Sequence, residues 1–332
     1  MKTKSALLAV AILSLTAGLT PAGAQLPTAI DQVATDQQRR DLDQATQLRY
    51  DQGNPAPELY PGEADDVGPQ SVLSLKPRRT FFEGAADSQY YFTDNAFLDH
   101  STRVSSGVLV STAQFDVAPT PFELGDGTYA PRLGFREQWF DFFQYGPHDP
   151  TLSTYDFNAQ TAFLDEHWTL RQWTFGAGFD YTRLLTTSQY RQFYSEYVPR
   201  WEATRLFSLG RHQVLSLGYQ GFYHFTGASQ FRILPQSGFF NRLDQLLLAS
   251  YSWEPCANVI LQPYYSFRYT RFTSTVNRDD YLNSVGAGIY YFFNQNFSGR
   301  LFVSYDQRFS SIEAAGYHDL GAGAGVNFVI RF

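Results

Sequence analysis

The sequence is poor in sulfur, in charge and in long apolar runs. Cys256 is the only cysteine among 332 residues, which excludes an internal disulfide and any Cys-rich metal cluster. Beyond the first 24 residues nothing approaches the ~18 consecutive apolar residues of a transmembrane helix. Mean hydropathy is -0.31, too polar for a helical membrane protein. Charged residues make up only 17%, and the net charge of -7 provides no concentrated basic face, so nucleic acid is not an expected partner. No Gly-rich loop follows a strand and opens a helix, and no side chains fall at metal-ligand spacing. The paired acids Asp65-Asp66 and Asp279-Asp280 could touch a cation but read as solvated loop residues. Neither a cofactor nor a metal is expected.

What the chain does have is aromatic residues, 17% of the total, with 30 Phe and 22 Tyr. These side chains suit a pleated, half-buried surface. The first 24 residues read as a secretory signal peptide. Lys2 and Lys4 precede the apolar run from Ala6 to Leu19, and Ala22-Gly23-Ala24 has the small-x-small form of a cleavage site. The mature chain is therefore expected to begin at Gln25. Residues 25–78 form a polar segment: a short helix over 30–49, with Ile30, Val33, Ala34, Leu42, Ala45 and Leu48 as a weak stripe, then a linker carrying Pro55, Pro57, Pro61 and Pro69. Such a segment could plug a barrel, bind a partner in the periplasm or act as a tether.

From Arg79 onward the pattern is alternation. Leu320, Ala322, Ala324, Val326, Phe328, Ile330 and Phe332 interleave with Gly321, Gly323, Gly325, Asn327, Val329 and Arg331, so a period of two puts the two sets on opposite faces. Twelve such segments are expected, near 79–93, 103–117, 129–144, 154–165, 171–184, 191–206, 211–226, 241–253, 259–273, 281–294, 297–310 and 318–332. Each has about the 9–11 residues that a tilted strand needs to cross a bilayer. The spacing predicts an all-β, antiparallel, up-and-down transmembrane β-barrel over 79–332, preceded by the short helix and linker. Glu137 and Asp141 fall on the face that should meet lipid, which a bulge or a strand lying above the bilayer would explain. Pro119 to Pro131 forms an unexpectedly long inner turn.

The terminal Asn327-Phe328-Val329-Ile330-Arg331-Phe332 resembles the signal read by the barrel assembly machinery, with Phe328, Ile330 and Phe332 as its alternating apolar positions. Joined to the signal peptide and the strand pattern, it makes the chain similar to the outer-membrane barrels of Gram-negative bacteria. The segment Tyr91-Phe92-Thr93-Asp94-Asn95-Ala96-Phe97 is similar to an element in the first hairpin of uncharacterised barrel families. The resemblance implies an outer-membrane location, with outer-membrane lipid, lipopolysaccharide and the assembly machinery as partners.

The expected inner face is rich in charge. It carries Glu83, Asp87, Asp116, Asp156, Asp180, Glu196, Glu202, Asp244 and Asp306, and Arg136, Arg200, Arg242, Arg268, Arg300, Arg308 and Arg331. A soluble β-sandwich core would not hold so many charges without near-complete pairing, whereas a watery lumen would. Two readings of this face stay open. One is a porin-like channel for small polar solutes, with Arg136, Asp156, Asp180, Glu196, Arg200, Glu202, Asp244, Arg268, Arg300, Asp306 and Arg308 as constriction candidates. The other is a salt-bridge network that closes a structural or adhesion barrel. A lipid-modifying enzyme would need a serine within reach of a histidine. His224 shares the inner face with Ser216, but no family motif surrounds it, and no catalytic residue is expected.

Overall fold

Alternation fixes the architecture because each strand must turn one face to lipid and the other inward. The computed structural model describes residues 29–40, 42, 81–101, 103–144, 152–210, 212–227, 240–273 and 277–332. The expected signal peptide, the proline-rich linker, and Ala45 and Leu48 of the expected helix lie outside the described residues. Residues 29–40 form a helix, α1, and Leu42 is helical too. The strands are β1 (Phe82–Thr93), β2 (Ser106–Val117), β3 (Phe122–Leu124), β4 (Gly127–Phe143), β5 (Phe157–Leu170), β6 (Trp173–Thr186) and β7 (Gln192–Gly210). They continue with β8 (Gln213–Thr226), β9 (Arg242–Cys256), β10 (Val259–Phe272), β11 (Asp279–Phe292), β12 (Phe297–Ser310) and β13 (Tyr317–Arg331).

Every wall strand is antiparallel to its sequence neighbour. The ring closes where β1 pairs with β13, from Glu83 opposite Arg331 to Thr93 opposite Gly321. β3 stands outside the ring and pairs only with the start of β4, leaving twelve strands in a closed wall. Closure leaves the ring itself without an unpaired edge, which is what lets its strands cross a bilayer. At the seam, the amides of Phe81 and Phe82 both donate to the Phe332 carbonyl at 3.1 Å.

The faces are inverted relative to a soluble protein. Leu301, Leu133, Phe309 and Val285 on the outer wall are 58, 57, 54 and 53% exposed, whereas Ser266, Gln262 and Ser304 inside are 2, 2 and 3% exposed. The soluble sandwich is thereby excluded. Aromatic side chains edge the apolar wall, with Trp173 stacked on Phe175 near the short-turn end and Tyr181 against Tyr197 nearer the other. Outside, the Trp201 indole covers its register partner Gly221, where a Cβ would overlap the ring. Inside, Gly323 admits the backbone of Tyr91.

Two expectations about β4 change. The long turn over 119–131 is a hairpin: β3 folds onto β4 through Gly125-Asp126, with Gly125 at φ 60. Glycine at the first central position suits the tight turn that matches strand twist. Glu137 and Asp141 do face outward, but no bulge accompanies them, since β4 pairs in continuous register with β2 and β5. Instead Gln160 on β5 donates to Glu137 at 3.0 Å, and Arg183 on β6 donates to Gln160 at 2.7 Å. This polar ladder crosses three strands beyond Tyr181, on the long-connection side.

Candidate functional site

The lumen contains α1, a helix polar on most of its circumference yet buried or half-buried throughout. In water a helix that is polar all round has no face to bury. Here the wall supplies hydrogen-bond partners on several sides. Asp36 sits at the centre: it accepts from Arg40 Nε at 2.8 Å, from Gln138 Nε2 on β4 at 2.7 Å, and from Gln89 on β1. Arg40 reaches Thr112 on β2 at 3.0 Å. Tyr91 on β1 donates to Gln32 at 2.8 Å, and the Arg39 guanidinium lies over the rings of Tyr91 and Phe302. Across the lumen, Gln38 donates to Ser266 on β10 at 2.7 Å and accepts from Arg268 at 3.2 Å, while Arg308 on β12 pairs with Asp31 at 2.8 Å. The start of α1, Ala29 and Ile30, joins an apolar cluster with Val108, Phe140, Phe142, Phe157 and Tyr194 at the long-connection end.

The remaining expected lumen residues form paired groups along the wall. Arg200 on β7 pairs with Asp165 on β5 and lies 3.6 Å from Asp180 on β6. Glu202 accepts from Gln220 at 3.1 Å and lies 3.1 Å from His167 Nδ1. Glu196 accepts from the Tyr194 hydroxyl at 2.6 Å and faces His224 Nδ1 at 2.9 Å. Asp244 faces His224 Nε2 at 3.2 Å and Arg242 Nε at 3.4 Å. With a carboxylate at each ring nitrogen, His224 turns neither toward Ser216. Arg300 grips Asp87 with two nitrogens, at 2.6 and 3.1 Å, and reaches Gln89 at 3.1 Å. Arg136 lies over the Phe163 ring. Asp306 is buried and takes a hydrogen bond from Ser284.

Asp156 is placed differently from the expectation. It lies between the short helix Leu152–Tyr155 and β5, off the wall, and accepts the Phe142 amide at 2.9 Å. β5 begins at Phe157, the residue after Asp156, rather than near 154. Phe328 and Ile330 face outward from β13, and Phe332 stacks on Phe82 across the seam at 5.8 Å. The sequence reading missed Asp36, Gln38, Arg40, Gln89 and Gln138. It also missed Arg132, which joins Asp116 at 2.7 Å and Glu83 at 2.9 Å. Arg132 was open to detection, because it falls four residues before Arg136 on the same inward face.

A closed antiparallel wall, apolar and aromatic-edged outside and hydrogen-bonded inside, defines a transmembrane β-barrel of the outer-membrane type. No helix among the described residues is long and apolar enough to cross a membrane. No protein-family model matches the chain, and no curated protein matches it in sequence. Among solved structures, the chain is similar to the KdgM porin in complex with disordered oligogalacturonate, at 10% identity and TM-score 0.39, over 74% of this chain and 98% of that one. It is also similar to the beta domain of the Bordetella autotransporter BrkA, at 12% identity and TM-score 0.45, over 75% and 100%. A third is OmpT, an outer membrane protein of Vibrio cholerae, at 10% identity and TM-score 0.35, over 75% and 96%. At these values the likeness is one of barrel architecture.

Proposed function

We propose that the protein is an outer-membrane channel of a Gram-negative bacterium for passive diffusion of small polar solutes, with α1 as a plug in its lumen. On this reading the signal peptide is cleaved after Ala24, and the assembly machinery recognises Phe328, Ile330 and Phe332 before insertion among outer-membrane lipid and lipopolysaccharide. The observation that carries it is how α1 is held. Among the described residues, no backbone hydrogen bond ties it to the wall. Its polar attachments run through side chains, and water can replace each such bond at a net cost of about 0.5–1.5 kcal/mol where both groups are neutral and about 1.5–3 kcal/mol where one is charged. The wall behind it is polar and hydrogen-bonded, the surface a water-filled passage requires.

Arg268, rather than Arg300, is the constriction residue expected to set ion preference, because Asp87 already neutralises Arg300. The test is single-channel conductance of the refolded protein in a planar bilayer, with and without residues 25–42. Larger, steadier steps from the shortened protein support a plugged channel. Silence from both, with the barrel folded, would falsify it.

One observation favours a second reading, a non-conducting structural barrel. The apolar cluster around Ile30 with Phe140, Phe142 and Phe157 holds one end of α1 by burial, which water does not replace. Silence in both recordings is the outcome that reading predicts.

A further inference from the structure

We propose that the cleft between α1 and the wall strands β9 to β12 is a binding site for a small organic carboxylate, gripped by Arg268. The cleft is small, with about 50 Å³ open to the centres of water-sized atoms, room for a few water molecules or one short carboxylate. Four guanidinium groups line it, those of Arg242, Arg268, Arg278 and Arg308, along with three carboxylates, those of Asp31, Asp244 and Asp280. Three of the arginines are matched one to one. Arg308 pairs with Asp31 at 2.8 Å, Arg278 with Asp280 at 2.5 Å, and Arg242 with Asp244 at 3.4 Å.

Arg268 is the fourth. It makes no ion pair with a described carboxylate, and its hydrogen bond goes from one terminal nitrogen to the amide oxygen of Gln38 at 3.2 Å. Among the lining residues four arginines face three aspartates, while behind the lining the Asp306 carboxylate acts on Arg268 from beyond ion-pair distance and Glu196 lies 3.9 Å from Arg242. Arg268 is the lining guanidinium whose planar fork of donors has most capacity left.

The ligand follows from the chemistry. A carboxylate brings one negative charge and two coplanar acceptors, which match a guanidinium fork in a way that a spherical halide cannot. A doubly charged anion would bring its second charge up against Asp31, Asp244 and Asp280. Ile30, Phe240 and Leu282 give the lining an apolar share, suited to a short carbon chain behind the carboxylate. Gln38 is also tied to Ser266 at 2.7 Å, so the same contact that positions Arg268 fixes the helix beside it. The inference deepens the channel reading, in that the solute enters through the lumen, but binding does not require conduction.

The experiment is calorimetric titration of the full chain, folded in detergent at low ionic strength, with butyrate, and in parallel with inorganic phosphate and chloride. Butyrate is expected to saturate a single site. Arg268→Gln should weaken it at least about tenfold. Arg268→Lys should fall between, since it keeps the charge but not the fork. Arg183→Gln, on the outer wall, should leave binding unchanged. Altered gel mobility on heating verifies that each variant is a folded barrel. Phosphate or chloride binding as tightly as butyrate would overturn the carboxylate assignment. Absent saturation, or equal binding by the folded Arg268→Gln protein, would overturn the site. Bilayer silence alongside Arg268-dependent butyrate binding would remove the channel and leave the site standing. Conductance without butyrate binding would do the reverse.

Discussion

At the scale of single residues, two positions respond to changes of a few atoms. A Cβ on Gly323 would lie 2.5 Å from the Tyr90 carbonyl oxygen and 2.7 Å from the Tyr91 Cα, so the backbone itself must move. Gly323→Ala is expected to destabilise the barrel by about 1–3 kcal/mol. The comparison is Gly299→Ala, where the nearest atom is 3.5 Å away and the change should stay within about 0.5 kcal/mol. Urea unfolding of the two folded variants decides between them, and equal midpoints would remove the close approach at Tyr91 as a constraint. Asp156 lies outside the membrane-spanning strands. Burial pushes its carboxyl up to about 6, against the pull of the Phe142 amide and with a further push from the charge of Asp141. The folded state thus binds this proton more tightly than the unfolded one. The contribution of Asp156 is fully present below the ordinary carboxylate value of 3.8 and is lost as pH rises through about 6. Asp156→Asn keeps an acceptor for Phe142 and cannot ionise, so its thermal midpoint should change less between those pH values. A wild-type profile already flat there would contradict the assignment.

At the scale of elements, α1 depends on Asp36. Removing that carboxylate leaves Arg40, Gln89 and Gln138 as buried donors without their acceptor. Asp36→Ala should cost about 3–5 kcal/mol of helix docking and appear as faster amide exchange across residues 29–40, with exchange in β10 to β12 little changed. Unaltered helix exchange would mean that the apolar cluster alone holds it. The strands were legible because alternation survives in one dimension: Trp173, Phe175, Ala177 and Phe179 face outward on β6, as their spacing requires. β3 was not, because three residues are too few to establish a period, and Phe122-Glu123-Leu124 reads equally well as a turn. The helix was legible as a helix but not as a resident of the lumen. Its signal was inverted: residues such as Asp36 and Gln38 mark the solvent side in an ordinary amphipathic helix, yet here they find the wall. Arg268 and Arg300 looked alike in sequence. Only register and rotamer separate them, by bringing Asp87 to one and a helix amide to the other.

At the scale of the molecule, closure through β1 and β13 is the property on which the rest depends. Ser88 and Val326 face each other across that seam in register. In a Cys256→Ser background, the pair Ser88→Cys and Val326→Cys should oxidise readily in the folded protein. The cross-linked chain should then fail to reach the fully unfolded mobility on heating without reductant. Reluctant oxidation in a folded sample would place the seam elsewhere. The position of α1 also has a consequence for how the molecule is made. The helix precedes every strand in the chain, yet its partners come from both flanks of the seam, Gln89 and Gln138 on one side and Ser266 and Arg308 on the other. It is synthesised first and enclosed last, so either the growing sheet curls around it or it threads a finished ring end-on. In the first route the helix is a mandrel, and its contact with Arg308 waits for nearly the whole chain to be in place. Contacts so distant in sequence are the slow ones to form, which makes sealing the ring around its helix the rate-setting event of assembly by that route.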